Sequence, residues 1–304
     1  MSKSQSRSIA EASEFLMGSE TLNRRVVLAS SATVAAAGFA ANRLVGLAQE
    51  SGDPLDEVEI APVCMLVAEM TEGPYYLEGD LVRRDITEGK PGVPLLIKIN
   101  VQDATACGPL ANAAVDIWHC DAQGYYSGVA SNNPGPDTDQ SVANEVATQV
   151  FLRGVQMTDE EGNAEFVTIY PGWYTGRTVH IHMKVYVGGD AQEEYIGGNT
   201  AHVGQLFFDD AISDQVYSTA EAYGGRDNSQ RTRNDSDNIL GDHADEPGFM
   251  LTLMPITEGS LDDGFIGTIS LGVDPGAISN ESGGGGGGQG GGRPGDGQGQ
   301  PPSN

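Results

Sequence analysis

The run Val179-His180-Ile181-His182-Met183-Lys184-Val185-Tyr186-Val187 alternates strictly between apolar and polar side chains, a period of two that an extended strand turns into two chemically distinct faces. Val179, Ile181, Met183, Val185 and Val187 form the apolar face, which needs a core against it, and His180 and His182 project together from the other. Side chains two apart on a strand lie about 7 Å from each other along its axis, close enough for two imidazoles to converge on one ion. Taken alone, a His-x-His pair also fits an ordinary solvated strand face, so the surrounding residues have to decide.

The rest of the chain extends the same pattern. Short apolar, β-rich runs recur at residues 95–101, 114–119, 165–170, 204–208, 249–253 and 265–271, separated by Gly, Pro, Asn and Asp clusters that act as turn signals. No long stretch keeps a 3.6-residue apolar period. The expected fold class is therefore all-β, a β-sandwich with long loops. Two polar connections, residues 127–145 and 220–246, exceed ordinary loop lengths and are candidates for the rim of a site or for mobile surface.

The ends differ from this middle. Arg24 and Arg25 stand before an uncharged, Ala-rich run at residues 26–41, followed by Gly46-Leu47-Ala48. This reads as a twin-arginine export signal over residues 1–48, cleaved near Ala48 to an extracellular or cell-surface product. The run is shorter than the roughly 20 apolar residues of a membrane span, so no stable span is expected after cleavage. Twin-arginine export moves proteins already folded, often with a cofactor in place, which hints at a metal. The expected domain covers residues 49–274. From residue 275 to 304 Gly dominates and apolar side chains nearly vanish; such a tail cannot bury enough surface to offset its ordering entropy and is expected to be disordered.

With 16 basic and 43 acidic residues the chain carries a net charge of -27, which excludes nucleic acid as a partner and suits a salt-rich setting, where self-repulsion is screened. Three cysteines are too few for a disulfide scaffold and their spacing matches no zinc pattern. An oxidising exterior allows one pair, and Cys64 with Cys107 is the expected one, because Cys120 lies inside the strand-like run leading to a candidate ligand.

Two further blocks flank the histidines. Residues 170–177 read Tyr-Pro-Gly-Trp-Tyr-Thr-Gly-Arg, a Pro/Gly turn that puts Tyr174 and Arg177 beside the histidine strand. Residues 115–128 form a strand that passes Trp118 and ends in a tight turn on Tyr125-Tyr126. Phenolate is a hard anionic ligand, so two tyrosines with two histidines would point to ferric iron; buried core tyrosines are the competing reading of each phenol taken singly.

On these blocks, with Thr71-Glu72-Gly73-Pro74-Tyr75-Tyr76 at their head, the chain resembles the intradiol ring-cleavage dioxygenases, the family of protocatechuate 3,4-dioxygenase and catechol 1,2-dioxygenase. The resemblance runs from Thr71 to about Phe208, and more loosely to Val273. It implies an Fe(III) cofactor held by Tyr126, Tyr174, His180 and His182, with Tyr174 and His182 axial. Tyr174 would be released when a small aromatic diol binds and would take up a substrate proton. Arg177 would stabilise developing negative charge, and Gln205, in Gly204-Gln205-Leu206-Phe207-Phe208, would orient the oxygenated substrate. O2 would be the second substrate and a cis,cis-muconate-type diacid the product.

The short stretch between Ala48 and Cys64 leaves no room for the helical N-terminal segment of catechol 1,2-dioxygenases, which places the chain nearer the protocatechuate type or the exported single-chain members. Few basic residues are spare for a carboxylated ring. The remaining histidines, His119, His202 and His243, are read as structural or surface groups. Two other functions compete with ring cleavage: an exported, non-catalytic β-sandwich that binds a partner on the same scaffold, and a metal hydrolase built on His180 and His182, weakened by the lack of a nearby carboxylate in that block.

Overall fold

The computed structural model describes residues 53–78, 81–135 and 140–281. The stretch expected to be an export signal, residues 1–48, and the Gly-rich residues from 282 onward lie outside them. Nine strands make two sheets: β1 (Pro94–Asp103), β2 (Gly108–Pro109), β3 (Ala113–Trp118), β4 (Arg153–Met157), β5 (Asn163–Ile169), β6 (His180–Ala191), β7 (Tyr195–Phe207), β8 (Thr252–Thr257) and β9 (Ser260–Val273). The first sheet runs β2-β1-β9-β8, with β5 also paired to β1; the second runs β4-β3-β6-β7. Every strand pair is antiparallel except β1 with β9.

Alternation decides which side chains fill the space between the sheets. Leu95, Ile97, Ile99 and Val101 of β1 meet Val115 and Ile117 of β3 and Ile181, Met183 and Val185 of β6 in one buried core, the arrangement expected of a β-sandwich. The apolar face read from residues 179–187 is therefore the core face of the second sheet. Its other face is not left to water. Segments around residues 71–76, 120–135 and 170–178 fold across it, so Trp118, His180, His182, Lys184 and Gln205 are all buried there.

Two short helices interrupt the strands, α1 (Gln140–Val146) and α2 (Asp210–Thr219). The second is capped by Asp209, whose side chain accepts from the N–H groups of Ala211 and Ile212, a standard way to satisfy orphan donors at a helix start. Among the described residues no helix is long and apolar enough to cross a membrane. The apolar run at residues 249–253 differs from the expectation of one strand. Phe249 and Met250 bridge to the end of β7, with Phe207 N–H donating to Phe249 O and Leu251 N–H to Phe207 O, before β8 begins at Thr252 in the other sheet. Side chains that a period-two reading assigns to one strand thus carry the chain from one sheet to the other. Beyond Pro275 the chain continues to pack, with Ser279 N–H donating to Thr200 O at 2.8 Å.

Cys64 and Cys107 form a disulfide with 5.1 Å between their Cα atoms, and Cys120 is a buried free thiol. The bridge closes a sequence separation of 43, tying the leading segment to the turn between β1 and β2. Cross-links of that span restrict the unfolded chain and stabilise typically by about 2–4 kcal/mol. Cys64→Ser is expected to lower unfolding stability in urea by about that amount without altering the site on the other sheet; a midpoint equal to wild type under oxidising conditions would contradict this.

Candidate metal centre

Four donor atoms meet on the covered face of the second sheet. His180 Nε2 lies 3.1 Å from His182 Nε2, 3.0 Å from Tyr174 Oη and 3.5 Å from Tyr126 Oη, and the two phenol oxygens are 3.4 Å apart. All four side chains are buried. Strand β6 supplies the histidines, the turn after β5 supplies Tyr174, and the turn after β3 supplies Tyr126. Tyr125 N–H instead donates to Asp121 Oδ1, and its ring belongs to the main core beside Gly135. The structure thus brings Tyr126, and not its neighbour, to the cluster.

Each imidazole has a defined surrounding. His180 Nδ1 lies 2.6 Å from Thr178 O, so it carries the proton and leaves the Nε2 lone pair facing the cluster, the usual way an outer contact sets a ligand tautomer. His182 stacks on Trp118, its cross-strand neighbour, with centroids 5.1 Å apart and planes 5° from parallel. At the Cε1 edge of the ring Gly73, at φ 76°, comes so close that a Cβ there would sit 2.9 Å from His182 Cε1. Only glycine fits that backbone and that approach. Tyr75 then stacks on Tyr126 at 4.5 Å between centroids, closing the cluster from above.

Burial governs the protonation of the set. Desolvation pulls His180 down to about 3, helped by the Arg177 charge, and takes His182 well below the usual imidazole range. Desolvation also pushes the phenols of Tyr126 and Tyr174 far up. Without a cation all four are neutral; a hard cation among them is what would make the phenols anionic. Ligand bonds of about 2.0–2.2 Å, usual for imidazole and oxygen donors, place neighbouring donor atoms roughly 3 Å apart, the spacing found here. The residues therefore fit a ferric ion in donor chemistry and in spacing. Among the described residues no group of three or more His, Cys, Asp and Glu side chains is placed to hold a metal, so this set depends on its phenols.

Beside the donors lies a polar pair. Arg177 donates through Nη2 to Gln205 Oε1 at 2.5 Å, and Gln205 Nε2 donates to Thr71 O at 2.8 Å. Register explains why Gln205 is here: it pairs directly with His182 across β6 and β7. Arg177 Nε also donates to Asp237 Oδ2 at 2.9 Å, and the same oxygen accepts from Thr178 N–H at 2.7 Å. Asp237 belongs to the long 220–246 connection, and sequence reasoning did not single it out. Neither did it find the buried ion pair of Lys184 with Glu72, 2.5 Å apart, which anchors the segment carrying Gly73 and Tyr75. A lysine on the same strand face as two candidate ligands was the available signal for a carboxylate partner.

The other histidines stand apart. His119 is buried between Cys120 O and Thr168 Oγ1, His202 is buried on β7, and His243 is half-buried beside Glu246.

The sequence profile of the Dioxygenase family matches residues 71–192, the stretch that contributes the four donors and Arg177. An intradiol ring-cleavage dioxygenase from Tetranychus urticae is 32% identical, with a TM-score of 0.56 over 72% of this chain and 98% of that one. The chain belongs to the intradiol ring-cleavage dioxygenase family. Among curated relatives of the family, chlorocatechol 1,2-dioxygenase of Pseudomonas putida is 29% identical over 139 residues, 39% of this chain and 48% of that protein. Catechol 1,2-dioxygenase of Candida albicans is 30% identical over 139 residues, 37% of this chain and 40% of that protein. The chain thus spans about half or less of the length of these two relatives.

Proposed function

We propose that Tyr126, Tyr174, His180 and His182 hold ferric iron and that the protein, exported by the twin-arginine route, opens a catechol-type ring between its two hydroxylated carbons with O2. The product would be a cis,cis-muconate-type diacid. One observation carries this reading: two phenols and two neutral imidazoles converge within 3.0–3.5 Å on a buried sheet face, next to a guanidinium already oriented by Asp237 and Gln205.

Iron in this site would supply the redox chemistry, making the bound diol reactive toward O2. The chain's own residues do the rest. Tyr174 sits on a turn rather than on a strand, and as the phenolate that a bound cation would make of it, it would take up a substrate proton. Arg177 and Gln205 present donors before any charge develops, so little reorganisation is needed when it does. Trp118, Tyr75 and the Gly73 segment pack around the ligands and keep bulk water from them.

Metal analysis with a visible spectrum tests the proposal. Phenolate on ferric iron gives a charge-transfer band, so purified protein should be red to burgundy with about one iron per chain. Catechol added without O2 should move the band to longer wavelength, and O2 should then bleach it. A colourless protein with stoichiometric zinc would overturn the reading.

A further inference from the structure

Among the described residues Asp237 is the carboxylate bonded to Arg177. It is buried, and each of its oxygens has two partners: Oδ2 accepts from Arg177 Nε and Thr178 N–H, and Oδ1 accepts from the N–H groups of Ile239 and Leu240, both at 2.8 Å. Burial alone would push this carboxyl up. The bond and charge of Arg177, with the N–H groups of Leu240 and Thr178, outweigh that and hold it below the usual carboxylate range, so it remains an anion. Arg177 therefore reaches the site as an oriented donor whose charge is balanced.

The other basic side chains around the site are directed to other partners. Lys184 is paired with Glu72, Arg153 donates to Ser127 O and Tyr75 O, and Arg226 donates to Trp173 O and Gln123 O. A ring bearing a carboxylate would find Lys184 already neutralised by Glu72 and the donors of Arg153 and Arg226 turned to main-chain oxygens, in a chain of net charge -27. Desolvating an unpaired anion is costly, and the surrounding field repels it.

We infer that Asp237 is a specificity-determining residue: by neutralising Arg177 it sets the site for catechols with uncharged rings and against those carrying a carboxylate. This rests on the ring-cleaving reading above. Asp237 acts through Arg177 and touches no reacting atom, so it is a positioning residue whose effect should appear in discrimination.

The test uses the iron-loaded full chain and two readouts. One is kcat/KM for catechol and for 3,4-dihydroxybenzoate; the other is calorimetric Kd for the non-cleavable rings phenol and 4-hydroxybenzoate. Wild type should favour the uncharged ring by at least about tenfold in both. Asp237→Asn keeps an acceptor oxygen for Thr178 N–H but unmasks Arg177; it should cut the preference by about tenfold through tighter 4-hydroxybenzoate binding, with phenol changed by less than about twofold. The double variant Arg177→Gln with Asp237→Asn removes both charges and should return the ratio toward wild type. Should Asp237→Asn not fold, Arg177→Gln alone carries the test, since the bare carboxylate should widen the preference by about tenfold. A wild type that prefers the carboxylated ring, or a ratio unmoved by either single variant, overturns the inference. Absence of turnover with both catechols would instead overturn the ring-cleaving proposal, and the two Kd values would still read the charge balance of the site.

Discussion

Arg177→Leu is expected to keep iron and its visible band while kcat/KM for catechol falls by about 10²-fold or more, the usual loss when a preorganised donor to developing negative charge is removed. The structure gives the reason for separating the two effects. Arg177 is not among the four converging donors, yet it is fixed beside them by Asp237 and Gln205. The leucine variant should still fold, because Asp237 retains the N–H groups of Thr178, Ile239 and Leu240. Its unfolding midpoint should drop nonetheless, since a buried carboxylate loses its cation. Iron content by elemental analysis, the visible spectrum and steady-state rates measured on one preparation separate the outcomes. Full activity would remove Arg177 from the mechanism. Loss of iron together with activity would make its role structural.

How much of this arrangement was legible in the sequence varies residue by residue. The histidine strand is legible because alternation is local: Ile181 and Met183 face the core and so His180 and His182 must face away from it. The sandwich follows from the same period repeated in β1, β3, β5 and β9. Tyr126 and Tyr174 are different, since a phenol in a Pro/Gly turn looks the same whether it packs or ligates, and only the resemblance to a family singles them out. Asp237 was not legible at all. It lies among Asp, Asn and Ser residues of the 220–246 connection, and what distinguishes it is contact with Arg177 and Thr178 some 60 residues earlier. The handover of residues 249–253 from β7 to β8 was missed for a related reason. Strand assignment by period reads which side a residue faces, and sheet membership is set by partners distant in the chain. Helix α2 escaped because it is only ten residues long and its buried side, Ser213, Val216 and Tyr217, includes a serine whose hydroxyl meets Tyr170 Oη at 2.7 Å, so its apolar stripe is broken by a polar residue with a tertiary partner.

The ligand set itself gives the largest expected effects. Tyr126→Phe removes a donor that is fully buried and packed between Tyr75 and Tyr174. Iron binding should weaken, the visible band should change, and turnover should fall below detection. Tyr174→Phe should be milder for the metal and harsher for the substrate steps. Its phenol comes from the turn at residues 171–177, which allows movement that strand β6 denies to His180 and His182, so the site should retain more iron while substrate uptake and product release slow. His182→Ala should abolish iron binding, because Trp118 stacks on the imidazole and Gly73 closes against its Cε1 edge, so the position is packed around this ring alone. Tyr125→Phe is the control. Its ring lies in the core and its backbone N–H is held by Asp121, so the spectrum should stay nearly unchanged. Elemental analysis and absorbance across the four variants read the same quantity in two ways. If the band were lost with Tyr125 and kept with Tyr126, the phenol that faces the imidazoles would not be the one that colours the protein, and the assignment of ligands on the β3 turn would have to move by one residue.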